Sequence, residues 1–165
     1  MDYDYLIRIV IKYDNVYISD IDKLLNMFIK PESDESNNGE ISKILDISNN
    51  KVKIIFDIDN SSNVIETKHN GIIYIYNISN NKSINNCIEF IHLNKFYNSI
   101  YILGDYYSIK YGHNYKNLKK INIKQYRLNR NSNNLIYYTF YDILRDIFYK
   151  SKYLKLNTIQ PSKIK

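Results

Sequence analysis

Between Tyr5 and Leu128 the chain is a succession of short runs of β-branched and aromatic residues, separated mostly by brief turn signals. In the first run Tyr5, Ile7, Ile9, Ile11 and Tyr13 alternate with Arg8 and Lys12, the period of two that marks a half-buried strand. Ile41 to Ile47 and Val52 to Ile58 flank Asn49-Asn50, a pair that tolerates the positive φ of a two-residue turn, so this region predicts a hairpin. Two more hairpins are expected, Val64 to Lys68 with Ile72 to Ile78 about Asn70-Gly71, and Ser99 to Leu103 with Tyr106 to Tyr111 about Gly104-Asp105. Lys119 to Leu128 reads as a further strand.

Helical spacing appears in three places. Ile21, Leu24, Leu25, Phe28 and Ile29 form a stripe behind a Ser19 cap, and Pro31 ends it. Ser83 to Tyr97 fits a helix capped by Ser83, since a dozen residues without a turn signal is long for a strand. Ile136, Phe140, Ile143, Leu144, Ile147 and Phe148 make the apolar stripe of a third. Strands therefore dominate, with helices near both ends. The expected fold is α+β: an antiparallel β-sheet of about six to eight strands built from hairpins, with two or three helices packed on it. Residues 1–152 are expected to form a single compact domain and residues 153–165 a basic, frayed tail.

A hydrophobic content of 44% against 24% charged residues is ordinary for a globular chain and argues against wholesale disorder. No stretch approaches the ~18 uncharged apolar residues of a membrane helix. The acidic start (Asp2, Asp4) lacks the positive charge of a secretory signal, and Cys87 is the lone cysteine, so no intrachain disulfide is available. An intracellular setting, cytoplasmic or nuclear, is expected. The chain has 30 Ile, 24 Asn and 19 Lys against 4 Arg and no Ala, the residue usage of an AT-rich coding sequence, as in some large DNA viruses, protists or endosymbionts. That bias also enriches Tyr and Asn, so neither residue marks a site by abundance alone.

Charge is split unevenly. Residues 1–105 hold 10 basic and 15 acidic residues, a net of −5, while residues 106–165 hold 13 basic and 2 acidic, a net of +11. Ten of the 18 tyrosines fall in that second stretch. Cations that track a phosphate backbone, interleaved with rings that stack on bases, are what single-stranded nucleic acid asks of a protein. The densest run is Lys110, Tyr111, Tyr115, Lys116, Lys119, Lys120, Lys124, Tyr126, Arg127 and Arg130, and these residues are the candidate nucleic-acid-binding set. Self-pairing of the basic stretch with the acidic one is the bland alternative.

Little in the chain converges on catalysis. His69, His92 and His113 are dispersed, and His69 sits in an expected turn, where it reads as solvated. Cys87 on an apolar stripe reads as a buried hydrophobe. The glycines at 39, 71, 104 and 112 stand singly, so no phosphate-cradling loop is seen. Asp57 and Asp59 could share a divalent ion but read better as turn formers, and the Tyr115–Lys119 pair lacks the nucleotide-binding motif that would make it catalytic. No cofactor or metal is expected. The reading is a non-catalytic binding domain for RNA or single-stranded DNA. A protein-interaction module, for instance a virus-encoded factor acting on a host protein through the acidic residues 32–40 or a hairpin edge, is the alternative, and a small enzyme ranks third.

Overall fold

The computed structural model describes residues 2–11, 34–35, 40–58, 65, 68–95, 99–105, 111–127 and 138–152. In chain order these are β1 (Tyr5–Ile11), a two-residue β2 (Asp34–Glu35), β3 (Glu40–Ile47), β4 (Asn50–Ile58), β5 (Gly71–Asn77), α1 (Asn81–Leu93), β6 (Ile100–Asp105), α2 (Tyr115–Lys119), β7 (Lys124–Arg127) and α3 (138–152). The sheet order is β2-β3-β4-β1-β5-β6-β7. β1 lies parallel to both β4 and β5, and β5, β6 and β7 continue the parallel array. Only the β2-β3-β4 end is antiparallel.

This overturns the expected antiparallel, hairpin-built sheet. The chain is an α/β protein with a mixed, mostly parallel sheet of six full strands plus the short β2, and helices lie on both faces. Tyr5, Ile7, Ile9 and Ile11 of β1 face a core completed by Phe140, Ile143, Leu144 and Ile147 of α3. Val10, Ile72, Tyr74, Tyr76 and Ile102 face the opposite core, completed by Ile84, Cys87 and Phe90 of α1 and by Tyr115 and Leu118 of α2. A strand covered on both sides carries apolar residues at successive positions. The run Gly71–Tyr76 is buried at every residue, which is this signature.

Among the described residues one of the three expected hairpins forms; most of the expected arms Val64 to Lys68 and Tyr106 to Tyr111 lie outside them. β3 and β4 pair antiparallel, with Ile47 opposite Asn50. The turn falls one residue earlier than expected, since Ser48 (φ 50°) and Asn49 (φ 65°) take the left-handed backbone that a two-residue loop demands. Asn70 is no hairpin tip. Its backbone N–H donates to the Leu6 carbonyl and its side-chain oxygen accepts from the Leu6 N–H, both at 2.8 Å, which leads the chain into a parallel β5. Gly71 is required there because a Cβ would overlap the Ile147 side chain of α3. β6 runs straight through Gly104-Asp105, where a turn was expected. The helix expected near Ser83 begins earlier, capped by the Asn80 side chain, which accepts from the Ser83 N–H at 3.2 Å. The stretch Lys119 to Leu128 is not one strand: α2 ends at Lys119 and only Lys124–Arg127 pairs with β6. The helix at Ile21–Ile29 and the tail 153–165 lie outside the described residues. Among the described residues no helix is long and apolar enough to cross a membrane.

Arg8 does not face solvent, as strand alternation alone suggests, because helices cover both faces of β1. It is 9% exposed, and its guanidinium donates to the Asp57 carboxylate at 3.1 Å and to His69 Nε2 at 3.1 Å. His69, expected in a solvated turn, is buried as the acceptor of that bond. Asp57 is thereby engaged as an ion-pair partner. Removing one member of a buried pair leaves its charge without that partner, at a cost of about 3–5 kcal/mol, whereas apolar replacement of both is far milder. Asp57→Ala is therefore expected to lower unfolding free energy by about 3 kcal/mol in urea titration, and the Arg8→Met/Asp57→Leu double variant to lose less than Asp57→Ala alone.

Candidate nucleic-acid interface

The parallel strands β5, β6 and β7 end on the same edge of the sheet, and the described segment 111–115 folds back over that edge. Three bonds hold it. The Gly112 N–H donates to the Ile78 carbonyl at 2.8 Å, the Asn114 N–H donates to Asn81 Oδ1 at 3.1 Å, and Asn114 Nδ2 donates to Asn85 Oδ1 at 2.8 Å. Asn81 and Asn85 are four apart on α1, so the helix presents both side chains on one face. Gly112 fits because a Cβ would stand only 2.7 Å from both Asn81 Oδ1 and Ile84 Cδ1. Gln125 of β7 donates from Nε2 to the Leu118 carbonyl at 2.9 Å and fixes α2 against the edge strand.

The result is a small aromatic–cationic cluster. The rings of Tyr111 and Tyr115 stack with centroids 5.1 Å apart and planes 17° from parallel. Arg127, the last residue of β7, donates to the Tyr111 hydroxyl at 3.0 Å and to the Tyr115 hydroxyl at 2.9 Å. Its guanidinium carbon is 5.3 and 5.7 Å from the two ring centroids. Lys119 places its ammonium 5.0 Å over the Tyr115 ring. All three distances suit cation–π attraction. The hydrogen bond that Arg127 donates to the Tyr115 hydroxyl is the main cause holding the Arg127 pKa above its already high value. Tyr111 is half exposed, and Lys116, Lys119 and Lys120, in α2 and at its end, are exposed. Among the described residues none of Lys116, Lys119, Lys120 and Arg127 pairs with a carboxylate.

The candidate set thus divides. Tyr111, Tyr115, Lys119 and Arg127 meet, while Lys116 and Lys120 are exposed next to them in sequence, in and at the end of α2. Strand alternation sends Lys124 and Tyr126 to the other face of β7. There Lys124 pairs with Asp146 of α3 at 2.9 Å, and Tyr126 packs against the α3 core with its ring 6.4 Å from that of Tyr101. Lys110 and Arg130 lie outside the described residues. The gathering of Arg127 with two tyrosines was not legible in spacing; the contributing signal was the basic–aromatic interleaving itself. The bracing role of Asn81, Asn85 and Gly112 carried no sequence signal in a chain this rich in asparagine.

No catalytic constellation emerges among the described residues. Cys87 is fully buried and burial pushes its thiol up, so it stays protonated at neutral pH. Tyr115 gives its hydroxyl to Arg127 while Lys119 sits over its ring face, which is not the geometry of a tyrosine–lysine proton relay. No group of three metal-ligating side chains occurs among the described residues.

Asp146 accepts from Lys124 and from the Tyr101 hydroxyl, with Lys150 3.7 Å away. Burial raises its pKa, but those two hydrogen bonds and the lysine charges outweigh it and hold the carboxyl below its ordinary value. A carboxyl with a depressed folded-state pKa stabilises above its unfolded value near ~3.9, and that contribution fades as pH falls toward the folded value. Stability measured by thermal melts is expected to drop on acidification below about pH 4, and Asp146→Asn to flatten that part of the profile.

No protein-family model matches the chain, and no curated sequence does. Solved structures do match, 583 chains in all, so the architecture alone selects no activity. One is a crystal structure described as nucleolar GTP-binding protein 1 from Plasmodium falciparum. Its TM-score is 0.63 at 14% identity, covering 99% of this chain and 98% of that one. At that identity the likeness establishes the fold and nothing finer.

Proposed function

We propose that the chain is a non-catalytic binding domain that takes single-stranded RNA or DNA on the aromatic–cationic cluster at the carboxyl ends of β6 and β7. The carrying observation is that Tyr111, Tyr115, Lys119 and Arg127 converge there without a carboxylate partner among the described residues. In open α/β sheets ligands bind in the crevice outside the carboxyl ends of the parallel strands. The half-exposed ring of Tyr111 offers a stacking platform, and Lys116, Lys119 and Lys120 offer charge for a phosphate backbone.

A mononucleotide in the same crevice is the second reading, favoured by the fold shared with a protein described as GTP-binding. Against it stands the segment after β1, Lys12-Tyr13-Asp14-Asn15-Val16-Tyr17-Ile18-Ser19, which has no glycine to bring backbone N–H groups against a triphosphate. The polymer reading needs no such cradle, since its charge contacts come from side chains.

Fluorescence anisotropy with labelled mixed-sequence oligonucleotides separates the readings. Affinity is expected to fall with salt at a slope of about −0.7 per phosphate neutralised. Tyr111→Ala should weaken binding about tenfold, the loss of one stacked base. Lys119→Glu/Lys120→Glu should weaken it and reduce the salt slope. Displacement of the oligonucleotide by a small excess of GTP would move the assignment to the mononucleotide. Undetectable binding of either at about 50 mM salt defeats both.

A further inference from the structure

At the opposite end of β6 and β7 a groove of about 560 Å³ opens between the end of α1, the α2–β7 connection and α3. It is independent of the nucleic-acid reading, lying a strand length, about 10 Å, from Arg127 along β7. Its floor is apolar: Ile100 is buried, and Ile121 and Ile123 are half-buried against the α1-side core. Its rim carries three lysines, Lys95, which has a partner of its own, and Lys124 and Lys150.

The charge balance of that rim decides what fits. Lys124 and Lys150 share one carboxylate, Asp146, at 2.9 and 3.7 Å, and Asp146 is also engaged by the Tyr101 hydroxyl. Among the described residues, this pair of ammoniums against one carboxylate leaves one positive charge over. Both lysines remain accessible, with side chains 51% and 36% exposed. A monoanion settles that surplus, whereas a phosphate near −2 would also repel Asp146. An apolar body bound to the same ligand would displace water from Ile100, Ile121 and Ile123. The volume lies within the range of small-molecule sites.

We propose that this groove binds a small apolar monocarboxylate, its carboxylate between Lys124 and Lys150 and its hydrocarbon over Ile100, Ile121 and Ile123. Asp146 stays in place in this arrangement and sets the preference for a single negative charge.

The test uses the full chain labelled at isoleucine δ1-methyls, titrated with octanoate and, separately, with octan-1-ol, and read by NMR. Octanoate is expected to move the Ile100, Ile121 and Ile123 signals saturably, with a Kd of about 1 mM for a ligand of this size. Octan-1-ol should bind at least about tenfold more weakly, lacking the charge-assisted contact. Lys150→Gln, on the surface of α3, should weaken octanoate about threefold and leave octan-1-ol unchanged. Ile123→Asp should abolish both while the remaining methyl signals keep their dispersion. Equal affinity for acid and alcohol overturns the proposal, as does an unmoved Ile100–Ile121–Ile123 set at about 5 mM octanoate.

Discussion

Everything in this molecule follows from β1 and β5 being covered on both faces. Tyr5, Ile7, Ile9 and Ile11 are packed under α3, and Val10, Ile72, Tyr74 and Tyr76 under α1, the double cover that crossovers such as β5–α1–β6 give to parallel strands. Parallel strands put all their carboxyl ends on one edge, and loops leaving that edge are the parts of the fold free to vary. The Arg8–Asp57–His69 network is a consequence of the same constraint. A charged residue on a strand buried on both faces has no route to water and must find its partners inside.

The sequence showed where strands and helices begin more faithfully than how the strands pair. The β3–β4 hairpin, α1 and the amphipathic helix 138–152 were legible because each is a local feature: a turn tolerant of positive φ, or a stripe at helical spacing. Parallel pairing is not local. Asn70-Gly71 has the composition of a hairpin tip, yet Asn70 bonds Leu6, sixty-four residues away, and Gly71 is there to let Ile147 approach. The unbroken run Ile72–Tyr76 was the available clue to a doubly buried strand. The abundance of isoleucine and tyrosine throughout the chain dulled it.

The candidate site was half legible for a related reason. Residues 106–165 carry a net of +11 in sequence, but β7 sorts those cations by parity. Lys124 and Tyr126 turn to the α3 face, and Gln125 and Arg127 to the α2 face, where Arg127 meets tyrosines brought in by the 111–115 segment. A reading of Lys119 to Leu128 as one strand placed Lys120 and Lys124 together; Lys120 instead caps α2 and β7 begins only at Lys124, so they share no strand face.

That sorting gives the two cationic regions different electrical characters. Lys124 has its charge largely cancelled by Asp146, which hydrogen-bonds it and raises its pKa. Arg127 is held by phenol hydroxyls and ring faces, contacts that fix a guanidinium in place without neutralising it. Salt screens both over a Debye length of about 8 Å at physiological ionic strength, but within it a cation positioned by neutral groups acts with its full charge, whereas one paired with a carboxylate presents a dipole. The tyrosine-braced arginine at the carboxyl edge therefore keeps more of its charge than Lys124 does. The lysine pair around Asp146, with one charge to spare and an isoleucine floor beside it, suits a smaller and greasier anion.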